Sequence, residues 1–325
     1  MLAICIECSH QRGMGHLFRA INLITTLKEK KIAYVLLVNE DESALRILQE
    51  NGIEPMLVDL WDTESDWEEK LIAEKQITVW LNDRLDTGEE TATHVKAAGI
   101  PLFTIDDMGA GAAYAEGNFA SLIFEETEKV PGKRVYAGSD YLILNPEIGE
   151  HRRERNKIEN ILVTLGGSDT YGVTLRVIAF LKKWQQEEAD KKITILLGPG
   201  AAIRGEVEEA IKDTDFALVS GVPSLIAYFE KFDLAITGGG VTALEAAASG
   251  LPCLIVANEL HEIQIGRHME QIGSAVFAGY YQEMNLERIK EIKDVCAMSR
   301  QGMEKVSLRG AERICEIMGL QESSR

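Results

Sequence analysis

Short apolar runs alternate with helical stretches along this chain, and the pattern breaks off near its middle and then starts again. In the first half the apolar runs 2–6, 33–38, 55–58, 78–81, 102–105 and 121–124 read as strands, and 16–30, 43–51, 65–74 and 91–98 as helices. Short apolar strands joined through helices belong to a parallel sheet covered on both faces. From residue 160 the pattern returns, with strands at 160–165, 193–197, 216–219, 234–236 and 253–256 and helices at 174–187, 204–212, 223–230 and 242–249. Two doubly wound α/β domains follow, with a cleft expected between the carboxyl ends of the two sheets. The dense charged stretch HRRERNK at 151–157 reads as a solvated linker, which sets the domains at 1–155 and 156–325, the last helix crossing back.

A chain of 325 residues accommodates two such domains, and 46% hydrophobic with 26% charged residues is ordinary globular composition. The net charge of −18 argues against nucleic acid or an anionic membrane as partner, since both require basic surfaces. Any anionic ligand must therefore be held locally, by backbone N–H groups and a few cations. No secretory signal pattern and no membrane-spanning apolar run is visible, so the cytoplasm is the expected compartment and stable membrane association is not expected. The five cysteines are scattered; Cys5 and Cys8 lack the second pair that a zinc site wants, and no metal site is expected.

The octet Arg12-Gly13-Met14-Gly15-His16-Leu17-Phe18-Arg19 directly follows the first strand and opens a helix. A glycine turn at that place offers backbone N–H groups at a positive helix end. His16 adds an ionisable ring, and the third glycine of a dinucleotide fingerprint is missing, so no nicotinamide cofactor is expected. Two further glycine turns follow strands in the second half: Leu165-Gly166-Gly167-Ser168-Asp169 and Thr237-Gly238-Gly239-Gly240-Val241-Thr242. Both sit at one sheet edge and suit a diphosphate. Glu245 lies one helical turn on, where a carboxylate can accept from ribose hydroxyls. The polar loop Asn258-Glu259-Leu260-His261-Glu262-Ile263-Gln264 follows a buried strand, with His261 and Gln264 placed to reach a ligand. Asp83, Asp86, Asp106 and Asp107 fall at strand ends, where one of them could orient His16 or bind sugar amides and turn formation is the commoner role.

These motifs together resemble the sugar-nucleotide proteins of the GT-B type. More narrowly, the chain is similar to the UDP-2,4-diacetamido-2,4,6-trideoxy-β-L-altropyranose hydrolases of pseudaminic acid biosynthesis (PseG-like) and their spore-coat polysaccharide relatives, cousins of the peptidoglycan UDP-GlcNAc transferase. The resemblance is carried by Gly13-Met14-Gly15-His16 with Arg19, Thr104-Ile105-Asp106-Asp107, Tyr136-Ala137-Gly138-Ser139-Asp140-Tyr141, the two glycine turns, and Leu308-Arg309-Gly310-Ala311-Glu312-Arg313. It implies two Rossmann-like domains facing across a cleft, a small-molecule UDP-sugar substrate, and no cofactor. It also implies His16 as the catalytic group, with Gly13, Gly15, Arg19, Asp83, Asp106, Gly166, Gly167, Ser168, Gly238, Gly239, Gly240, Thr242, Glu245, His261 and Gln264 binding substrate.

The chain departs from that family at Cys5 and Glu7, where Arg and Asp are usual, at Asn82–Asp86, at Asn145, and at His261-Glu262. Most of these lie on the sugar side, so the resemblance fixes the nucleotide class more firmly than the sugar. Hydrolysis of the anomeric bond to UDP needs a base for water and donors for the departing phosphate. A neutral His16, with an unperturbed imidazole pKa of about 6.5, suits the first role. The glycine turns suit the second. A glycosyltransferase with the same donor, and a non-catalytic nucleotide-sugar binder, are the alternatives. Sugar configuration and oligomeric state are not legible.

Overall fold

A parallel strand buried on both faces needs helices above and below it, and both halves of the chain meet that need in the same way. The structure, a computed structural model, describes residues 1–8, 15–166, 169, 171–188, 190–198, 201–222 and 224–321. It divides into two compact units, Met1–Pro146 with Leu308–Arg325, and Glu147–Ser307.

In the first unit the strands are β1 (Leu2–Ile6), β2 (Tyr34–Val38), β3 (Met56–Leu57), β4 (Val79–Asp83), β5 (Leu102–Ile105), β6 (Gly117–Ala120) and β7 (Val135–Ala137). They form one parallel sheet in the order β3-β2-β1-β4-β5-β6-β7. The helices are α1 (Gly15–Glu29), α2 (Glu42–Glu50), α3 (Trp67–Lys75) and α4 (Glu89–Ala97). Side chains alternate across the sheet: Ile4, Ile6 and Leu81 pack with Leu17, Leu23 and Leu27 of α1, while Ala3, Cys5 and Trp80 pack toward Leu71 of α3 and Val95 of α4. That alternation decides which polar residues at the strand ends reach which face.

The second unit repeats the scheme with α5 (Ile148–His151), β8 (Asn160–Thr164), α6 (Val173–Trp184), β9 (Lys192–Leu197), α7 (Arg204–Ile211), β10 (Ala217–Ser220), α8 (Leu225–Phe229), β11 (Leu234–Gly238), α9 (Val241–Ala248), β12 (Cys253–Ala257), α10 (Glu262–Gln271), β13 (Ala275–Tyr280) and α11 (Val295–Lys305). Its parallel sheet runs β10-β9-β8-β11-β12-β13. In both sheets the winding direction reverses once, between β1 and β4 and between β8 and β11. Ligands of doubly wound sheets sit beyond the carboxyl ends at that reversal. No helix among the described residues is long and apolar enough to cross a membrane.

Several sequence expectations need correction. Residues 121–124 are not a strand; the strand is Gly117–Ala120, and β7 and β13 went unread. Gly117 hid β6, because a glycine weakens a strand pattern. Here glycine is required, since a Cβ would lie 2.8 Å from the Tyr136 ring and 3.0 Å from that of Phe103.

The charged stretch at 151–157 is also not a solvated linker, since it is fastened to the second unit. Arg155 is fully buried and donates to Phe229 O at 2.9 Å, Arg153 O at 2.7 Å and Ser249 O. Arg152 donates to Ala248 O at 2.8 Å and Met303 O at 2.6 Å, and Arg153 to Phe232 O at 2.8 Å. Of these carbonyls Phe229 O, Ala248 O and Ser249 O close α8 and α9, where a helix leaves its last acceptors unpaired and its dipole negative. Burial and the neighbouring Arg153 pull the Arg155 pKa down to about 10, which still leaves it charged at neutral pH. A run of arginines read as surface charge is thus a set of helix caps. The compact units accordingly divide at Pro146 and Glu147, upstream of the expected 155/156.

The chain then returns to the first unit as α12 (Gly310–Ile317), whose Ala311, Ile314 and Cys315, followed by Met318, join the core beneath α1. Gly310 lets it dock: a Cβ there would sit 1.9 Å from Leu142 O, a backbone atom with nowhere to go. Gly310→Ala should therefore destabilise the protein by about 1–3 kcal/mol through overpacking, read as a lower urea midpoint. An unchanged midpoint would show that α12 is not held this tightly.

Candidate active site

α1 begins with Gly15 and places His16 in its first turn. Arg19 lies three residues on, the spacing that puts two side chains on one helix face. That face meets the carboxyl ends of β4 and β5. Asp83, the last residue of β4, pairs in register with Ile6 and shares its face with Leu81. Its Oδ1 is 2.6 Å from His16 Nδ1, and its Oδ2 accepts from Arg19 Nε at 2.7 Å, with Arg19 Nη2 closing a two-pronged bond on Oδ1. Arg19 Nη1 donates to Asp106 Oδ2 at 2.5 Å. Asp106 follows β5 in the left-handed region (φ 49°), which Asp tolerates better than most residues. It also accepts from Ser121 Oγ at 2.9 Å and Leu122 N at 2.8 Å.

Burial alone would raise the Asp83 carboxyl. The Arg19 guanidinium and the His16 ring outweigh it and hold the pKa at about 2. Burial likewise opposes the charge on Arg19, but Asp83 and Asp106 more than offset it and push its pKa above the ordinary value. An ionised Asp83 can only accept, so His16 Nδ1 must carry the proton of the neutral ring, and Nε2 is the basic nitrogen. Among the described residues nothing bonds to Nε2. His16 is 8% exposed.

Asp83 and Asp106 thus share Arg19, Asp83 also holds the Nδ1 side of His16, and Asp106 also takes the Ser121 hydroxyl and the Leu122 N–H. Asp107, another strand-end acid, is a turn former that accepts from Thr87 N at 3.1 Å and Gly109 N at 2.8 Å. Gly15 opens α1 with free space around its Cα, while Gly13 lies outside the described residues. Burial pushes the Cys5 thiol up to about 12, so it is inert at neutral pH.

In the second unit the two glycine turns differ. Gly166 adopts φ 95°, a conformation that only glycine takes readily; Gly167 and Ser168 lie outside the described residues. The α6 end that this turn feeds is already filled. The Asp169 carboxylate accepts from Val173 N at 2.8 Å and Thr174 N at 3.0 Å, so an anion there would meet a carboxylate. The α9 end is open. Gly240 is its N-cap, no side chain caps it, and the Val241 and Thr242 N–H groups have no partner among the described residues. Gly239 is needed for packing, since a Cβ would lie 2.7 Å from Glu262 O, and its N–H already goes to Glu262 Oε2 at 3.2 Å.

Glu262 is the residue that sequence reading passed over. Its carboxylate also takes Asn258 N at 2.7 Å and so ties the polar loop to the glycine turn. Its position at the start of α10 was the available signal, because acids gather at helix N-termini. His261, beside it, is exposed, and Gln264 is half-buried on α10. Among the described residues, two buried oxygens at this edge, Thr237 Oγ1 and Asn258 Oδ1, have no hydrogen bond. Glu245, half-buried on α9, has no side-chain partner among the described residues, and burial pushes its carboxyl up to about 7.

No family model matches the chain. The spore coat polysaccharide biosynthesis protein SpsG of Bacillus subtilis is 25% identical over 291 residues, covering 86% of this chain and 83% of that protein. A crystal structure of MurG from Acinetobacter baumannii matches with a TM-score of 0.70 at 12% identity, over 98% of this chain and 99% of that one. UDP-GlcNAc 2-epimerase from Neisseria meningitidis, bound to UDP-GlcNAc, matches with a TM-score of 0.61 at 11% identity, over 98% and 99%. With the two parallel sheets, these likenesses show the expected fold class: two doubly wound Rossmann-like domains of the GT-B type.

Two expectations follow from the buried acids. Asp83 has its pKa lowered in the folded state, so its stabilisation is complete above the ordinary carboxylate range near pH 4 and is lost as pH falls through about 2. Asp83→Asn should cost about 2 kcal/mol at pH 7 in urea unfolding, with the gap to wild type closing in acid. A constant gap down to pH 2 would contradict the assignment. Glu245 has the opposite sign: its raised pKa costs stability as pH rises from about 4.3 to about 7. Glu245→Gln should therefore raise the thermal midpoint at pH 8 and leave it unchanged at pH 4, and equal midpoints at pH 8 would count against a strained carboxyl.

Proposed function

We propose that the protein is an enzyme acting on a UDP-linked sugar, and that it hydrolyses the anomeric bond to UDP in a deoxy-amino sugar with inversion, in surface-polysaccharide or pseudaminic-type acid biosynthesis. One observation carries this reading: His16 is fixed by Asp83 through Nδ1, which makes Nε2 a proton acceptor of set orientation. A mere binding site has no use for such a base. The similarity to a polysaccharide biosynthesis protein and to a fold that holds UDP-GlcNAc in another enzyme supports the choice of substrate.

In this reading the diphosphate lies at the open end of α9, where the Val241 and Thr242 N–H groups and the helix dipole meet developing negative charge. Glu245 accepts from the ribose hydroxyls and is ionised when it does so. His16 Nε2 takes a proton from water as its oxygen bonds to the anomeric carbon. The bond from that carbon to the phosphate oxygen breaks, and UDP leaves with the electron pair. Gly15 keeps the start of α1 unobstructed, and Arg19, Asp83 and Asp106 hold the base in place.

Incubation with a panel of UDP-sugars, following UDP release and the anomeric product by NMR, tests this. His16→Asn should lower turnover by about 10²–10⁴-fold, the usual worth of a positioned base, and leave UDP affinity nearly unchanged. Wild-type turnover by the Asn variant would remove His16 from the chemistry. Release that is slow in water and accelerated by an added sugar acceptor would establish the transferase reading instead. Binding without turnover in either form would leave a nucleotide-sugar binder.

A further inference from the structure

Strand alternation alone would put Asp106 on the face away from His16. In β5, Phe103 and Ile105 pack toward α1, while Leu102 packs toward α3 and α4 with Trp80. Thr104 shares the face of Leu102 and pairs in register with Asn82 of β4. Continued extension would therefore send residue 106 away from α1 and residue 107 toward it. The structure has the reverse. Asp106 reaches Arg19 of α1, and Asp107 lies fully buried on the side of Asn82 and Thr87. The exchange is made at Asp106, whose left-handed backbone (φ 49°) is a conformation that persists where the surroundings impose it.

Asp107 is held from several directions. Its Oδ1 accepts from Thr87 N at 3.1 Å and Gly109 N at 2.8 Å, and its Oδ2 accepts from the Thr87 hydroxyl. Its backbone oxygen accepts from Asn118 Nδ2 at 2.7 Å. The Thr87 oxygen itself accepts from Asn82 Nδ2 at 3.1 Å, and Asn82 Oδ1 accepts from Trp80 Nε1 at 2.7 Å. An indole N–H can only donate, so it orients the Asn82 amide, the amide orients the Thr87 hydroxyl, and the hydroxyl proton goes to Asp107. The segments after β4 and β5 close on each other around this chain of bonds. Met108 N donates to Leu85 O at 2.9 Å and Gly111 N to Thr87 O at 2.8 Å. Glycine is required for so close an approach, since a Cβ on Gly109 would lie 2.4 Å from Thr87 N and one on Gly111 2.1 Å from Gly88 O.

We propose that Asp107, acting through Thr87, is a positioning residue for His16: it locks the two neighbouring acids into their exchanged places, so that Asp106 stands beside Asp83 and both take Arg19. The inference rests on the reading of His16 as the base. Its physical core is competition for one oxygen. Asp83 Oδ1 takes both His16 Nδ1 and Arg19 Nη2, while Arg19 Nη1 is drawn away to Asp106. Without the bonds of Asp107, residue 106 relaxes toward extended backbone and its carboxylate leaves Arg19. The guanidinium then centres on Asp83, the nearest remaining acid, and displaces His16 Nδ1. A ring released at Nδ1 no longer has one set tautomer.

The test reads the His16 ring directly, in the full chain labelled with ¹⁵N-histidine. Long-range ¹H–¹⁵N NMR distinguishes the two neutral tautomers, and His16→Asn identifies the His16 signals. The wild type should carry its proton on Nδ1. Thr87→Val replaces the hydroxyl by a methyl of similar shape, and Asp107→Asn sets an amide donor where a carboxylate accepted. Each should give a mixture of tautomers, and Thr87→Val alone decides if Asp107→Asn does not fold. Thr87→Ser keeps the hydroxyl and should give the wild-type spectrum. Leu48→Ala, a cavity under α2 in the core of the same unit, controls for lost stability and should also leave the tautomer unchanged. With a UDP-sugar that the wild type turns over, Thr87→Val and Asp107→Asn should lower kcat by up to about 10²-fold and leave KM nearly unchanged. The wild-type tautomer in both variants would overturn the proposal, as would a mixture in the wild type or an equal mixture in Leu48→Ala. The tautomer is read without substrate. Wild-type turnover by His16→Asn would therefore end the reading of His16 as base and leave the control of its ring by Asp107 standing.

Discussion

A carboxylate without water around it stays charged only when the protein supplies the opposite charge, and Asp83 is the point where the first unit meets that demand. Arg19 supplies it, and the requirement spreads outward. The guanidinium has to reach two acids at once, so α1 must lie over the ends of β4 and β5, in a register that brings Arg19 to Asp83 and Asp106. Asp106 must turn back in a left-handed conformation to offer its carboxylate while binding Leu122 N. His16 then has one available geometry. Removing one partner of such a buried pair is far more damaging than never having built it. The fixed orientation of the His16 ring thus comes from the cost of leaving a charge unpaired.

The second unit places its charges by the same economy. α6 and α9 both start from glycine-rich turns at one sheet edge, and dipole arguments alone treat them alike. They differ because Asp169 satisfies the first N–H groups of α6, whereas Gly240 has no side chain with which to satisfy those of α9. An incoming anion meets a carboxylate at one helix and bare donors at the other. Glu245 adds a carboxyl that burial pushes up to about 7.

Much of this was legible in the sequence. The alternation of apolar runs located nearly every central strand, and the octet placed His16 and Arg19 at the opening of the helix after the first strand. Asp83 and Asp106 were legible as strand-end acids, one of which could orient His16, but their shared pairing with Arg19, made between residues 64 and 87 positions apart, was not. Arg155 was misjudged for the same reason: its charge density reads as solvation, and only the carbonyl ends of α8 and α9 reveal its use. Gly117 and Gly239 are sites of close packing, which no local pattern encodes.

The return of α12 to the first unit has a consequence for the order of events during synthesis. The core beneath α1 includes Ala311, Ile314, Cys315 and Met318, residues that leave the ribosome only after all of Glu147–Ser307 has been made. The second unit is continuous in sequence and has every strand it needs as soon as it emerges. The first unit must wait with part of its apolar surface uncovered. Domains commonly fold in the order in which they are translated; here the unit begun first is completed last, and the nascent chain carries an unfinished core past its folded neighbour.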